Sequence, residues 1–154
     1  DTTSSNRFGN AALSTSSAGT TFLQHDFNEL DVIGELQSQL FGQPVTLTAD
    51  YVNNTSVAKA DEGFQVALRL GKANKPLAWE VLYMWQRLAA NAVVGQFTDS
   101  DFGEGGTNRK GHVVRVAVGT LKNSTLAAKL GITESITAPE SAVDRLQVDW
   151  ETKF

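Results

Sequence analysis

From about residue 27 onward the chain alternates between apolar and polar positions, the period of a β-strand with one apolar face. Leu30 to Leu40 places Leu30, Val32, Gly34, Leu36, Ser38 and Leu40 on one parity, against Asp31, Ile33, Glu35, Gln37 and Gln39. Val45, Leu47, Ala49 and Tyr51 oppose Thr46, Thr48 and Asp50, and Phe64, Val66, Leu68 and Leu70 oppose Gln65, Ala67 and Arg69. Val114, Val116 and Val118 oppose Val113, Arg115 and Ala117. Leu126, Ala128, Leu130 and Ile132 oppose Thr125, Ala127 and Lys129. The last run sets Leu146, Val148, Trp150, Thr152 and Phe154 against Arg145, Gln147, Asp149, Glu151 and Lys153. Trp79–Leu88 fits either period, because Leu82, Met84 and Leu88 are apolar on the second parity. Its three aromatics favour a strand. Seven strands are therefore expected, or eight if a short strand near Phe8–Leu13 joins them. Residues 1–26 read as a polar loop or frayed segment, and 27–154 as the β-region.

The connections sharpen the picture. Phe41–Gln43, Lys72–Pro76 and Lys122–Ser124 read as short, whereas Asn53–Glu62, Ala89–Lys110 and Thr133–Asp144 read as long. Short and long connections thus alternate strictly. Tight turns at one end and long loops at the other are the pattern of an outer-membrane barrel. The expected fold is all-β: an antiparallel up-and-down transmembrane β-barrel, or the C-terminal segment of one. Its apolar parity would face lipid, where every backbone group has to be paired within the sheet. Its other parity would face a wet lumen, making Asp31, Glu35, Asp50, Arg69, Glu80, Arg115, Lys129, Arg145 and Asp149 the candidate pore-lining residues. With Glu151 and Lys153 added, six acids face five bases, which gives no clear ion selectivity. Tyr51, Trp79, Tyr83, Trp85, Trp150 and Phe154 are candidates for interfacial aromatic belts. The alternative is a soluble β-sandwich that packs the apolar parity between two sheets and binds ligands through exposed aromatics.

Composition narrows the function. At 154 residues the chain is one domain, with 41% apolar and 19% charged residues and a net charge of −4. That charge argues against nucleic acid as a partner. There is no cysteine, hence no disulfide framework, thiolate metal site or cysteine nucleophile. No run approaches the roughly 18 apolar residues of a membrane helix, which leaves a membrane β-barrel open. The chain starts at Asp1 without Met or a signal peptide, as a mature product, a fragment or part of something longer would. Asp99, Asp101 and Glu104 alternate with glycines, so they could wrap Ca²⁺ weakly or narrow a pore where a long loop folds inward. They lack the distal Glu of a calcium loop, and a solvated outer loop bent by glycines is the plainer reading of the same residues. His25 and His112 lack metal-ligand spacing, no Ser sits in a nucleophile elbow, and Gly103–Gly106 is followed by no phosphate-loop Lys. The chain therefore reads as non-enzymatic and without a cofactor. Asn53-Asn54-Thr55 and Asn123-Ser124-Thr125 match the glycosylation sequon and read as turn chemistry.

Three stretches resemble a bacterial outer-membrane porin family near its C-terminal end. The first joins Leu30-Asp31-Val32-Ile33-Gly34-Glu35-Leu36 to Pro44-Val45-Thr46-Leu47 and Asp50-Tyr51-Val52-Asn53-Asn54. The second runs from Trp79-Glu80 into Ala92-Val93-Val94-Gly95-Gln96-Phe97-Thr98-Asp99-Ser100-Asp101-Phe102-Gly103. The third is Gly105-Gly106-Thr107-Asn108, Lys110-Gly111-His112 and Lys122-Asn123-Ser124-Thr125-Leu126. The alternating tail that ends in Phe154 is similar to the terminal strand read by outer-membrane assembly machinery. The resemblance implies passive diffusion of small polar solutes or ions through a bacterial outer membrane. It also implies contact with outer-membrane lipid and a homo-oligomer. Family members look larger than this chain. Three expectations follow: a C-terminal part of a larger barrel, a closed eight-stranded barrel, or an excised fragment that pairs its edges with other copies in an oligomer or extracellular fibre.

Overall fold

The computed structural model describes residues 9–14 and 21–153. Among these, nine strands form: β1 (Ala12–Ser14), β2 (Thr21–Leu23), β3 (Glu29–Leu40), β4 (Gln43–Asn54), β5 (Glu62–Gly71), β6 (Trp79–Leu88), β7 (Arg109–Leu121), β8 (Ser124–Ser135) and β9 (Ala142–Thr152). Strands β3 to β9 make one antiparallel sheet in chain order, each paired with the next. The sheet stays open, with β3 and β9 as its two edges. The ambiguous run Trp79–Leu88 is a strand, registered Val66 to Trp85 and Tyr83 to Val114 on its two sides. No eighth strand joins the sheet from the N-terminal side among the described residues: β1 pairs with β2 in a separate two-stranded sheet. Phe8 and Phe154 lie outside the described residues.

The strands run past the ends of the alternating pattern, so the expected alternation of short and long connections is not observed. Connections 41–42 and 122–123 are two-residue turns, but 72–78 is as long as 55–61, and 136–141 is shorter than either. Only 89–108 is very long. Polar residues cause the difference. Asn53 pairs with Glu62, Arg109 with Ser135, and Glu134 with Ala142, continuing the ladder after the apolar residues have stopped. Backbone pairing is indifferent to side-chain polarity once the neighbouring strand is in place.

Register puts each parity on a single face. Val45, Leu70, Val81, Val116, Ala128 and Val148 form one continuous row across six strands, and Leu47, Leu68, Tyr83, Val114, Leu130 and Leu146 form the next. This outer face is bare: Leu36 is 66% exposed, Leu146 72% and Trp150 63%. Among the described residues no second sheet covers it, so the apolar parity is not the packed interior of a sandwich. The long connection 89–108 lies on the opposite, inner face. Small inner-face residues make room there. A side chain on Gly111 would meet the Ile132 carbonyl, one on Gly63 would press on Leu88 and Val52, and Ala117 and Ala127 are buried.

Candidate functional site

All nine candidate pore-lining residues fall on the inner face. Their positions follow from register: Arg115 stands opposite Lys129, Glu80 opposite Ala117, Asp149 opposite Ala127, and Arg145 opposite Gly131. Asp31 and Asp50 share a pocket of about 640 Å³ with Glu29 and Asp99. Glu35 accepts a 2.6 Å hydrogen bond from the Gln37 amide, and Asp149 accepts one of 3.3 Å from Gln147. Arg115 donates to Glu80 at 2.8 Å and stands 3.9 Å from Glu151. The acids of β3 and β4 have no cationic partner among the described residues, whereas the cations of β7 to β9 are largely paired.

Connection 89–108 docks on this face through charge. Asp101 takes Lys129 Nζ on one carboxylate oxygen at 3.2 Å and Arg145 on the other at 3.3 Å. The same Arg145 nitrogen donates to the Ser100 carbonyl at 3.0 Å. Phe102, next in sequence, is buried, and Gly103 lies against Thr133 and Arg109. The turn is set by Asp99, whose Oδ1 accepts from the Asp101 backbone at 2.9 Å, an Asx turn. Glu104 points elsewhere, lining a separate pocket with Arg109 and Ser141. Among the described residues no three His, Asp or Glu side chains gather closely enough to hold a metal ion.

Three buried asparagines fasten the root of this connection, of which the sequence marks only Asn54, as turn chemistry. Asn10 donates to the carbonyls of Ala90 (2.7 Å) and Val93 (2.8 Å) and accepts from Gly95 N–H at 2.8 Å. Asn91 Oδ1 accepts from Ala11 N–H. Asn54 donates to Asn91 and Asp26 carbonyls and accepts from the Asn28 and Ser56 backbones. Residues 9–11, read from the sequence as part of a polar loop, are thus the third side of a joint between segment 26–28 and the long connection. A hint was available: Asn53-Asn54-Thr55 ends a strand with residues whose side chains mimic backbone partners.

The aromatic candidates Tyr51, Trp79, Tyr83, Trp85 and Trp150 all sit on the outer face, Tyr83 in its middle row and the others to either side. Trp79 and Trp150 lie in the same row, through Val118 and Leu126, near the two-residue turns. Trp85 and Tyr51 lie toward the other end, one and two rows beyond Tyr83. Two partners there were not anticipated: Phe64 meets Trp85 with ring centroids 5.8 Å apart, and His112 Nδ1 shares a 2.9 Å hydrogen bond with the Tyr83 hydroxyl. The row of Tyr51 and Phe64 continues across the sheet as Arg87, Lys110 and Glu134, with a 3.0 Å Lys110–Glu134 ion pair. Asp144 ends the Trp85 row, and among the described residues no Asp, Glu, Lys or Arg of the strands stands on the outer face from the Trp79 row to the Tyr83 row.

An antiparallel meander with a bare apolar face edged by aromatics, and a charged face carrying an inward connection, has the construction of a membrane β-barrel wall. The chain belongs to the porin family described as "Putative porin", whose model matches residues 4–154. No curated protein and no solved structure matches it.

Proposed function

We propose that this chain forms wall and constriction of an outer-membrane porin that lets small polar solutes or ions diffuse passively, without chemistry. The observation that carries this reading is the division of the sheet into an exposed face free of charge from the Trp79 row to the Tyr83 row and a face that holds every candidate pore-lining charge. In hydrocarbon, charged side chains on the first face would be costly, and in water the apolar one would be. The connection 89–108 narrows the passage, held by the Asp101 contacts to Lys129 and Arg145. Strands β3 to β9 are 10 to 13 residues long, enough for the roughly 9–11 residues of a tilted membrane strand.

Reconstitution into planar bilayers tests it. Asp101→Asn removes the carboxylate from two cations, so conductance should rise and the reversal potential should move toward anion preference. Channels whose conductance and reversal potential are unchanged by Asp101→Asn would take this connection out of the passage.

The open edges support a second reading, an excised porin fragment that assembles by β-strand addition into an oligomer or extracellular fibre. Strand β3 is exposed along its whole length, as a template for pairing would be. A discrete assembly of the 16.6 kDa chain, stable in buffer without detergent, is the result that reading requires.

A further inference from the structure

We propose that the end of the inner face nearest the two-residue turns is a binding site for a small, doubly charged oxyanion, with inorganic phosphate as its simplest form. As a solute site it rests on the porin reading; as a binding site it stands on its own geometry. A pocket of about 360 Å³ lies between connection 72–78, the start of β8 and the end of β9. Four cations line it, Arg69, Lys72, Arg115 and Lys153, against two carboxylates, Glu80 and Glu151. Both carboxylates face Arg115, at 2.8 and 3.9 Å. That leaves Arg69, Lys72 and Lys153, none of which has an ion pair among the described residues. Four cations against two carboxylates leave a net charge of two around one cavity, and a doubly charged anion between the unpaired cations relieves their repulsion.

The pocket wall is built rather than draped. Leu77 N–H donates to the Gly119 carbonyl and Gly119 N–H to the Ala78 carbonyl, each at 2.8 Å, and Thr125 Oγ1 donates to the Ala73 carbonyl at 3.2 Å. Gly119 comes so near the Lys75 carbonyl that a Cβ there would collide with it. The connection is thereby held across the mouth, with Lys72 and Lys153 both lining the cavity. The volume lies at the small end of the range for ligand pockets. Arginine offers a planar fork that fits the oxygens of phosphate, and lysine a point charge beside it. Asn74, Asn123, Ser124 and Thr125 add neutral polar groups for the remaining oxygens. The far end of the inner face has the opposite character, with Glu29, Asp31, Asp50 and Asp99 around its pocket, so an anion is favoured at one mouth only.

The test is calorimetric titration of inorganic phosphate into the full chain in detergent at low salt. Saturable binding is expected. Arg69→Gln and Lys72→Gln should each weaken it about tenfold, the scale of one lost charge-assisted hydrogen bond. Lys75→Gln, a neighbouring lysine outside this pocket, should leave it unchanged. Absence of saturable binding, or equal losses for Lys72→Gln and Lys75→Gln, overturns the site. Bilayer recording separates the two claims. Channels that conduct in a chain that does not bind phosphate refute the site and keep the porin reading. Phosphate binding by a chain that opens no channel keeps the site and refutes that reading.

Discussion

Asn54 shows how much one side chain can hold. It is fully buried, and its amide bridges the backbones of Asp26, Asn28, Ser56 and Asn91. Asn54→Leu would strand these donors and acceptors, each costing about 1–3 kcal/mol when buried without a partner. Equilibrium unfolding in detergent, followed by tryptophan fluorescence, should show a loss at the upper end of that range or beyond. A loss below about 0.5 kcal/mol, the scale of an ordinary surface change, would mean the joint is not needed. Phe41 is the opposite case. It sits at the tip of the turn between β3 and β4, 96% exposed, with φ +49°, followed by Gly42 at +74°. A two-residue hairpin turn with both φ positive favours Asn-Gly, and a bulky residue there is strained. Phe41→Asn should therefore stabilise the hairpin by up to about 1 kcal/mol, of the order of such backbone effects, in the same unfolding experiment. The hydrophobic pattern marked neither residue, because their roles lie in backbone geometry and amide bonding rather than in polarity.

Among the elements, the strands were legible and their ends were not. Period-two alternation located all seven strands of the large sheet, and the aromatics of Trp79–Leu88 chose strand over helix correctly. The boundaries slipped because Asn53, Arg109 and Glu134 pair through their backbones although their side chains break the pattern. The same slip made the loop alternation look stricter than it is. The conformation of 89–108 was beyond the sequence: Asp101 meets Lys129 and Arg145 only because β8 and β9 bring those two cations within its reach. The outer face of β8 supplies an element-level prediction. Leu130→Arg, near the middle of the apolar rows, should cost about 2–4 kcal/mol in lipid, whereas a cation at the β8 end, as in Glu134→Lys, should cost about 0–1. Folding free energies measured in vesicles would reveal the difference; equal costs at the two positions would deny that β8 crosses hydrocarbon.

For the whole molecule, two asymmetries matter. The first is topological. With an odd number of antiparallel strands, β3 and β9 run in the same direction, so an all-antiparallel closure takes an odd number of further strands between them. The second is electrostatic: Glu29, Asp31, Asp50 and Asp99 gather at one end of the inner face, and Arg69, Lys72 and Lys153, without ion pairs among the described residues, at the other. The sequence displayed these charges on one parity but not their heights, which depend on register, and its nearly balanced count, six acids to five bases, hid the separation. A passage lined this way should rectify. Current at equal and opposite voltages should differ in 0.1 M KCl, where the screening length is about 10 Å, and converge in 1 M KCl, where it is about 3 Å; equal currents at low salt would contradict the charge separation. Beneath both asymmetries lies the claim that one parity faces lipid and the other water. Because the chain has no cysteine, single cysteines can be placed along β9 and exposed, in intact membranes, to a charged maleimide that does not enter hydrocarbon. The account predicts labelling at Gln147→Cys and Asp149→Cys and protection at Leu146→Cys and Val148→Cys, a strict period of two. Labelling of all four positions, or of Leu146→Cys and Val148→Cys alone, would contradict it.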